Sequence, residues 1–173
     1  DVCSSDLASA VSNVTVNTLP VITVNSGAIC NGNSFTMIPA GASTYTYSSG
    51  TSVVSPITNT SYSVSGTNAS GCVSSSSAVS NVTVNALPVI TVNSGAICNG
   101  NSFTMIPAGA STYTFSGGSS VVSPITNTTY SVSGTDLNGC VSTVMAVSAV
   151  TVNALPIITV NSGAICNGNS FTM

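Results

Sequence analysis

The chain has 173 residues, 43% of them apolar, with no Lys, Arg or His; its acids are Asp1, Asp6 and Asp136, for a net charge of −3. Phosphate binding is dominated by Lys and Arg, so a nucleic-acid surface is excluded, and so is a polybasic membrane anchor. No apolar run approaches the ~20 residues that span a bilayer, while the apolar fraction is too high for a chain kept disordered by low hydrophobicity.

In chain order, Asp1–Leu7 reads DVCSSDL and looks like the translated tail of a sequencing-library adaptor, so it is set aside as a scar. The spacing from Cys3 to Val11–Asn17 is one residue longer than from Cys72 to Val79–Asn85, which agrees with that reading. Residues 8–18 then read as the last strand of a preceding repeat. Leu19–Ala86 and Leu87–Ala154 are two copies of one unit that differ at 11 of 68 positions, and Pro20–Thr46 recurs unchanged as Pro88–Thr114. A third copy starts at Leu155, and residues 155–173 cover its first strands. Self-similarity at a fixed period of 68 residues identifies an array of one structural unit.

Within a copy, apolar residues alternate by twos with Ser and Thr, the pattern of half-buried strands. Strands are predicted over Val21–Asn25, Ser34–Ile38, Thr44–Ser48, Ser52–Val54, Ser61–Gly66 and, with a bulge, Val73–Asn85. Gly, Pro, Asn and Ser clusters at Asn31–Asn33, Pro39–Gly41, Ser49–Gly50, Ser55–Pro56 and Asn68–Gly71 punctuate them. Nothing has helix-forming composition. The fold class is all-β, a small β-sandwich per repeat. Its expected core is Ile22, Val24, Phe35, Met37, Tyr45, Tyr47, Val54, Ile57, Tyr62, Val64, Val82 and Val84, with Phe115 replacing Tyr47 in the second copy. Between copies, Asn85-Ala86-Leu87-Pro88 is short and stiffened by proline.

The pattern Ile29-Cys30-Asn31-Gly32-Asn33-Ser34-Phe35-Thr36, then Tyr45, Thr60-Ser61-Tyr62-Ser63-Val64, Gly71-Cys72-Val73-Ser74 and Val82-Thr83-Val84 resembles immunoglobulin-like repeats. These are the Ig-like or PKD-like modules of very large secreted bacterial surface proteins, of the type associated with gliding bacteria and type IX secretion. The resemblance covers essentially all residues after Leu7 and implies tandem immunoglobulin-like sandwiches that serve as spacers, stalks or adhesin repeats. Near-identity of neighbouring copies sets this chain apart, because identical neighbours invite strand exchange.

Six regularly spaced cysteines in a Ser/Thr/Asn/Gly-rich chain favour an oxidising, extracellular or cell-surface location. Pairing within a repeat would join Cys30 with Cys72 and Cys98 with Cys140, closing loops worth ~4 kcal/mol each in the chain-entropy model. In an Ig-like sandwich, however, these positions fall at opposite ends. A cross-junction bond between Cys30 and Cys140 is the alternative. No histidine and no C-x2-C pair is present, so a zinc site is not expected.

The chain offers no catalytic site, because Ser without a partner base is inert and His, Lys and Glu are missing. It is not expected to be an enzyme, to bind a cofactor, or to build a calcium site from Asp136 alone. Asn13, Asn59, Asn68, Asn81 and Asn127 begin N-x-[ST] triplets, and the last four are the glycosylation candidates. Differences between copies cluster at Tyr47–Thr51 and Asn68–Ser77, where loop tips could touch a ligand. The expected role is a structural component of an extracellular fibre or cell-surface stalk, with copies of itself as partners through end-to-end or strand-addition contacts. The alternative is a surface adhesin that binds glycans or other cells.

Overall fold

The computed structural model describes residues 11–172. The adaptor-like Asp1–Leu7, Cys3 included, lies outside the described residues, among which every regular element is a β-strand. The chain divides into two compact units, Asp1–Ala86 and Leu87–Met173.

In the first unit the strands are β1 (Thr23–Val24), β2 (Gly27–Cys30), β3 (Phe35–Thr36), β4 (Pro39–Ala40), β5 (Thr44–Tyr47), β6 (Val53–Val54), β7 (Thr60–Thr67) and β8 (Ala78–Asn85). One sheet has the order β2-β8-β7-β5. The facing layer is built on β3 and β4, two halves of one extended segment, with β1 antiparallel to β4 and β6 antiparallel to β3. This is an immunoglobulin-like sandwich. The second unit repeats it strand for strand with β9 (Thr91–Val92), β10 (Gly95–Cys98), β11 (Phe103–Thr104), β12 (Pro107–Ala108), β13 (Thr112–Phe115), β14 (Val121–Val122), β15 (Thr128–Thr135) and β16 (Ala146–Asn153).

The strand predicted over Val21–Asn25 is only half of what forms. The chain steps at Asn25–Ser26 from one layer to the other, and Gly27–Cys30 continues as β2, parallel to β8 with Gly27 opposite Val82 and Cys30 opposite Asn85. Side chains hold the step. Asn25 donates Nδ2 to the Thr36 carbonyl at 3.1 Å and accepts the Ile38 N–H at 2.6 Å, standing in for a backbone partner between β3 and β4. Ser80 Oγ donates to the Asn25 carbonyl at 2.7 Å, and the Asn81 N–H donates to Ser26 Oγ at 2.9 Å. The strand predicted over Val73–Asn85 is likewise shorter: only a single bridge, Thr67 to Val73, precedes β8.

The core of the first unit is Met37, Val54, Val64 and Val82, flanked by Ile22, Val24, Ile29, Phe35, Tyr45, Tyr47 and Tyr62. Alternation therefore places most of the expected core correctly. Val84, near the end of β8, is half-buried and outside that cluster, and the clear exception is Ile57. It is 77% exposed, as is Ile125 in the second unit, because Ser55-Pro56-Ile57 lies in the reversal between β6 and β7, where period-two logic does not hold. Conversely, Ser80 is wholly buried in phase with Val82, and its bond to Asn25 offsets the cost of burying the hydroxyl. At the turn into β5, Gly41 has φ of 102°, and a Cβ there would collide with the Val21 carbonyl oxygen; Gly109 and Val89 repeat this. Only glycine fits that approach.

Residues 11–22 and 155–172 contain no strand. In the complete copies β2 pairs with β8 and β3 with β6, and the stretch 155–172 contains no counterpart of β8 or β6.

Candidate assembly surfaces and cysteine sites

The cysteines sit where strand register puts them. Cys30 ends β2 beside Asn85, three residues beyond the Val82–Thr60 pair, whereas Cys72 lies next to Val73, which bridges Thr67 at the far end of β7. About ten residues of strand at ~3.3 Å each separate the two levels, roughly 30 Å, against a Cα separation of at most ~7 Å in a disulfide. Cys72 and Cys98 are accordingly free thiols, and Cys30 and Cys140 are each disulfide-bonded. The expected within-repeat pairs, Cys30 with Cys72 and Cys98 with Cys140, are thus corrected: neither forms.

Around Cys72 and Cys140 the chain makes the same tight turn with different residues. Asn68 Oδ1 accepts the N–H groups of Ser70 and Cys72 at 3.0 and 2.9 Å. Asp136 Oδ1 accepts those of Asn138 and Cys140 at 2.9 and 2.8 Å. Asp136 is therefore a turn acceptor, and no group of three potential metal ligands exists among the described residues.

The other glycosylation candidates also have structural work. Asn59 Oδ1 accepts the Val84 N–H at 2.7 Å, and Asn127 Oδ1 accepts that of Val152 at 2.7 Å, each tying the turn before β7 or β15 to the last strand. Asn81 Oδ1 accepts from Ser61 Oγ at 2.7 Å across the β7–β8 pair. Asn59, Asn81 and Asn127 are exposed; Asn68 is half-buried and donates Nδ2 to the Thr18 carbonyl at 2.9 Å. In the second unit a groove of about 290 Å3 is lined by Leu87, Pro88, Val89, Ile90, Thr143 and Val144, with no ionisable side chain.

The two outer faces of a repeat differ in chemistry. On the β2-β8-β7-β5 sheet, Thr44, Thr46, Ser61, Ser63 and Thr83 are exposed, giving a mainly hydroxyl face in which Val79, opposite Ser63, is the exposed apolar residue of β8. On the opposite layer Met37 and Val54 point inward at 1% and 8% exposure, and alternation turns Ile38 and Val53 outward at 69% and 50%. Composition alone could have suggested a Ser/Thr face, but not that the second face is apolar.

No protein-family model and no curated protein matches the chain. Solved structures do resemble it. A three-domain immunoglobulin structure of titin, an E-to-A mutated variant, is 9% identical with a TM-score of 0.41, covering 78% of this chain and 66% of its own. The first four immunoglobulin domains of Sidekick-1 are 11% identical with a TM-score of 0.27, covering 78% and 52%. Extracellular cadherin domains 1–4 of protocadherin gamma B7 are 8% identical with a TM-score of 0.26, covering 79% and 51%. The chain thus spans less than two thirds of each of these structures. No helix among the described residues is long and apolar enough to cross a membrane.

Proposed function

We propose that this chain is a segment of an extracellular fibre or cell-surface stalk whose working unit is the 68-residue sandwich. The observation that carries this reading is the parallel pairing of β2 with β8. β1 and β2 lead into the repeat and β8 leaves it in the same direction, so the backbone enters at one end of the sandwich and exits at the other. A unit threaded this way adds length with every copy. Tension between its ends also loads the β2–β8 hydrogen bonds along the strands, so that several must fail together.

The cysteines support the same reading. We take Cys30 and Cys140 to be joined to each other, which would make the string covalent at more than its backbone and would require an oxidising compartment. Under this reading the chain has no catalytic activity, and its partners are further copies of itself. A second reading, a glycan- or cell-binding adhesin, draws on the exposed segment in which the copies differ most, Asn68–Ser77 against Asp136–Met145, with Leu137 93% exposed.

Electron microscopy of native material tests the proposal. Long filaments with a period the size of one sandwich are expected; isolated globules would overturn it, and saturable binding on a glycan array would favour the adhesin. Peptide mapping with thermolysin under non-reducing conditions should recover a fragment linking Cys30 to Cys140, and its absence would remove the covalent link.

A further inference from the structure

We infer that the outer face of the β1, β3/β4 and β6 layer is a lateral association surface, and that its partner is a second copy of this chain. The inference rests on the fibre reading and adds how strings would be held side by side.

The face is built from alternation. Phe35, Met37 and Val54 point into the core, so Thr36, Ile38, Ala40 and Val53 point out; Val21 lies on the same layer two residues before Thr23, the partner of Ala40, and so farther along the strand from Ile38. Val21, Ile38 and Val53 are 80%, 69% and 50% exposed. The second repeat rebuilds the face with Val89, Ile106 and Val121 at 81%, 69% and 49%. None of these positions is among the 11 at which the copies differ. Single exposed apolar residues are ordinary on protein surfaces; Ile38 next to Val53, repeated as Ile106 next to Val121, forms a small patch in both folded copies.

Two facts select the partner. First, the chain has no Lys, Arg or His, and its only acid beyond the first ten residues is Asp136. Like copies therefore meet without the charge repulsion that normally keeps proteins apart, and a charged partner would find nothing to pair with. Second, both folded copies carry the patch, 68 residues apart in sequence, so a partner with the same repeat offers a matching patch for each one. Many weak contacts in series then act as one strong one. The opposite, hydroxyl face keeps such a bundle hydrated.

Sedimentation velocity of the whole chain tests this, comparing wild type with Ile38→Lys/Ile106→Lys and with a control that places the same charges on the hydroxyl face, Ser63→Lys/Ser131→Lys. Circular dichroism melts establish that each variant is folded; these positions are exposed or half-buried, so the fold should survive. Wild type and the serine variant should self-associate, more strongly on warming and without dependence on salt, as apolar contacts do. The isoleucine variant should associate roughly 30-fold more weakly or worse, the scale of losing an interface hot spot. Equal association of all three proteins, loss in the serine variant alone, or a monomeric wild type would each overturn the proposal. Should native material show single unbundled filaments, the lateral face falls while the fibre reading stands.

Discussion

The hydroxyl of Ser80 donates to the carbonyl oxygen of Asn25 at 2.7 Å, bridging 55 residues of sequence, and Ser148 does the same to Asn93. That bond fixes the step by which the incoming strand changes layer. Ser80→Ala would leave the Asn25 carbonyl without this donor in the core. A loss of about 1–3 kcal/mol is expected, read as a lower midpoint in urea unfolding, with Ser148→Ala behaving alike. An unchanged midpoint for both would mean that water replaces the hydroxyl.

Asn25 does its own work between β3 and β4, through Thr36 and Ile38. Asn25→Leu keeps the branched shape and removes both bonds. About 2–3 kcal/mol should be lost, because two backbone groups are stranded together. Asn25→Asp, which keeps the acceptor for Ile38, should lose less; the reverse order would contradict the assignment.

At the end of β2, the Asn31 N–H donates to the Asn85 carbonyl at 2.9 Å, the last bond of the parallel pair. Asn31 also precedes Gly32, at φ of 92°, in the turn that closes from the Asn33 N–H to the Cys30 carbonyl. Proline is favoured at that turn position, so Asn31→Pro deletes the strand bond and spares the turn. Thermal stability should fall by only about 1 kcal/mol, whereas the force needed to unfold the repeat by its ends in single-molecule pulling should drop clearly. A force trace identical to wild type would show that the load is borne elsewhere.

Gly41 tests the close approach to Val21. Gly41→Ala combines a left-handed backbone with a collision against the Val21 carbonyl oxygen and should cost more than ~1 kcal/mol. Gly50, whose φ is 80° but whose Cβ position is open, supplies the comparison: Gly50→Ala should cost distinctly less.

Thiol chemistry distinguishes the cysteines. Iodoacetamide applied to the unreduced protein should label Cys72 and Cys98, and Cys30 and Cys140 only after reduction. Mass spectrometry reads the result, and modification of Cys30 before reduction would contradict it.

Much of this was legible in the residues. Val64, Val82, Met37 and Val54 stand at alternate positions in Ser/Thr-rich runs, so their burial follows from period two. The β2 strand was not legible. Gly27-Ala28-Ile29-Cys30 has a single strong strand former, and its partner lies 55 residues away in a parallel pairing that local pattern does not encode. Ile57 misled because an apolar residue in a turn resembles one in a strand, and Ser80 because its polarity hides a core position. The opposite levels of Cys30 and Cys72 required only the order of strands, but the apolar outer layer required knowing where β3 turns its side chains.

Finally, the two copies change together at one cross-strand pair. Ser61 faces Asn81 and is hydrogen-bonded to it in the first repeat, while Thr129 faces Ala149 in the second. A last strand that docked in the wrong repeat would bring Ser61 against Ala149 and forfeit that bond. Thr129 against Asn81 would still offer a hydroxyl donor, so the consequence is confined to the pairing as it stands: the closing strand of the first repeat is tied to β7 by one side-chain bond that Ala149 denies the second.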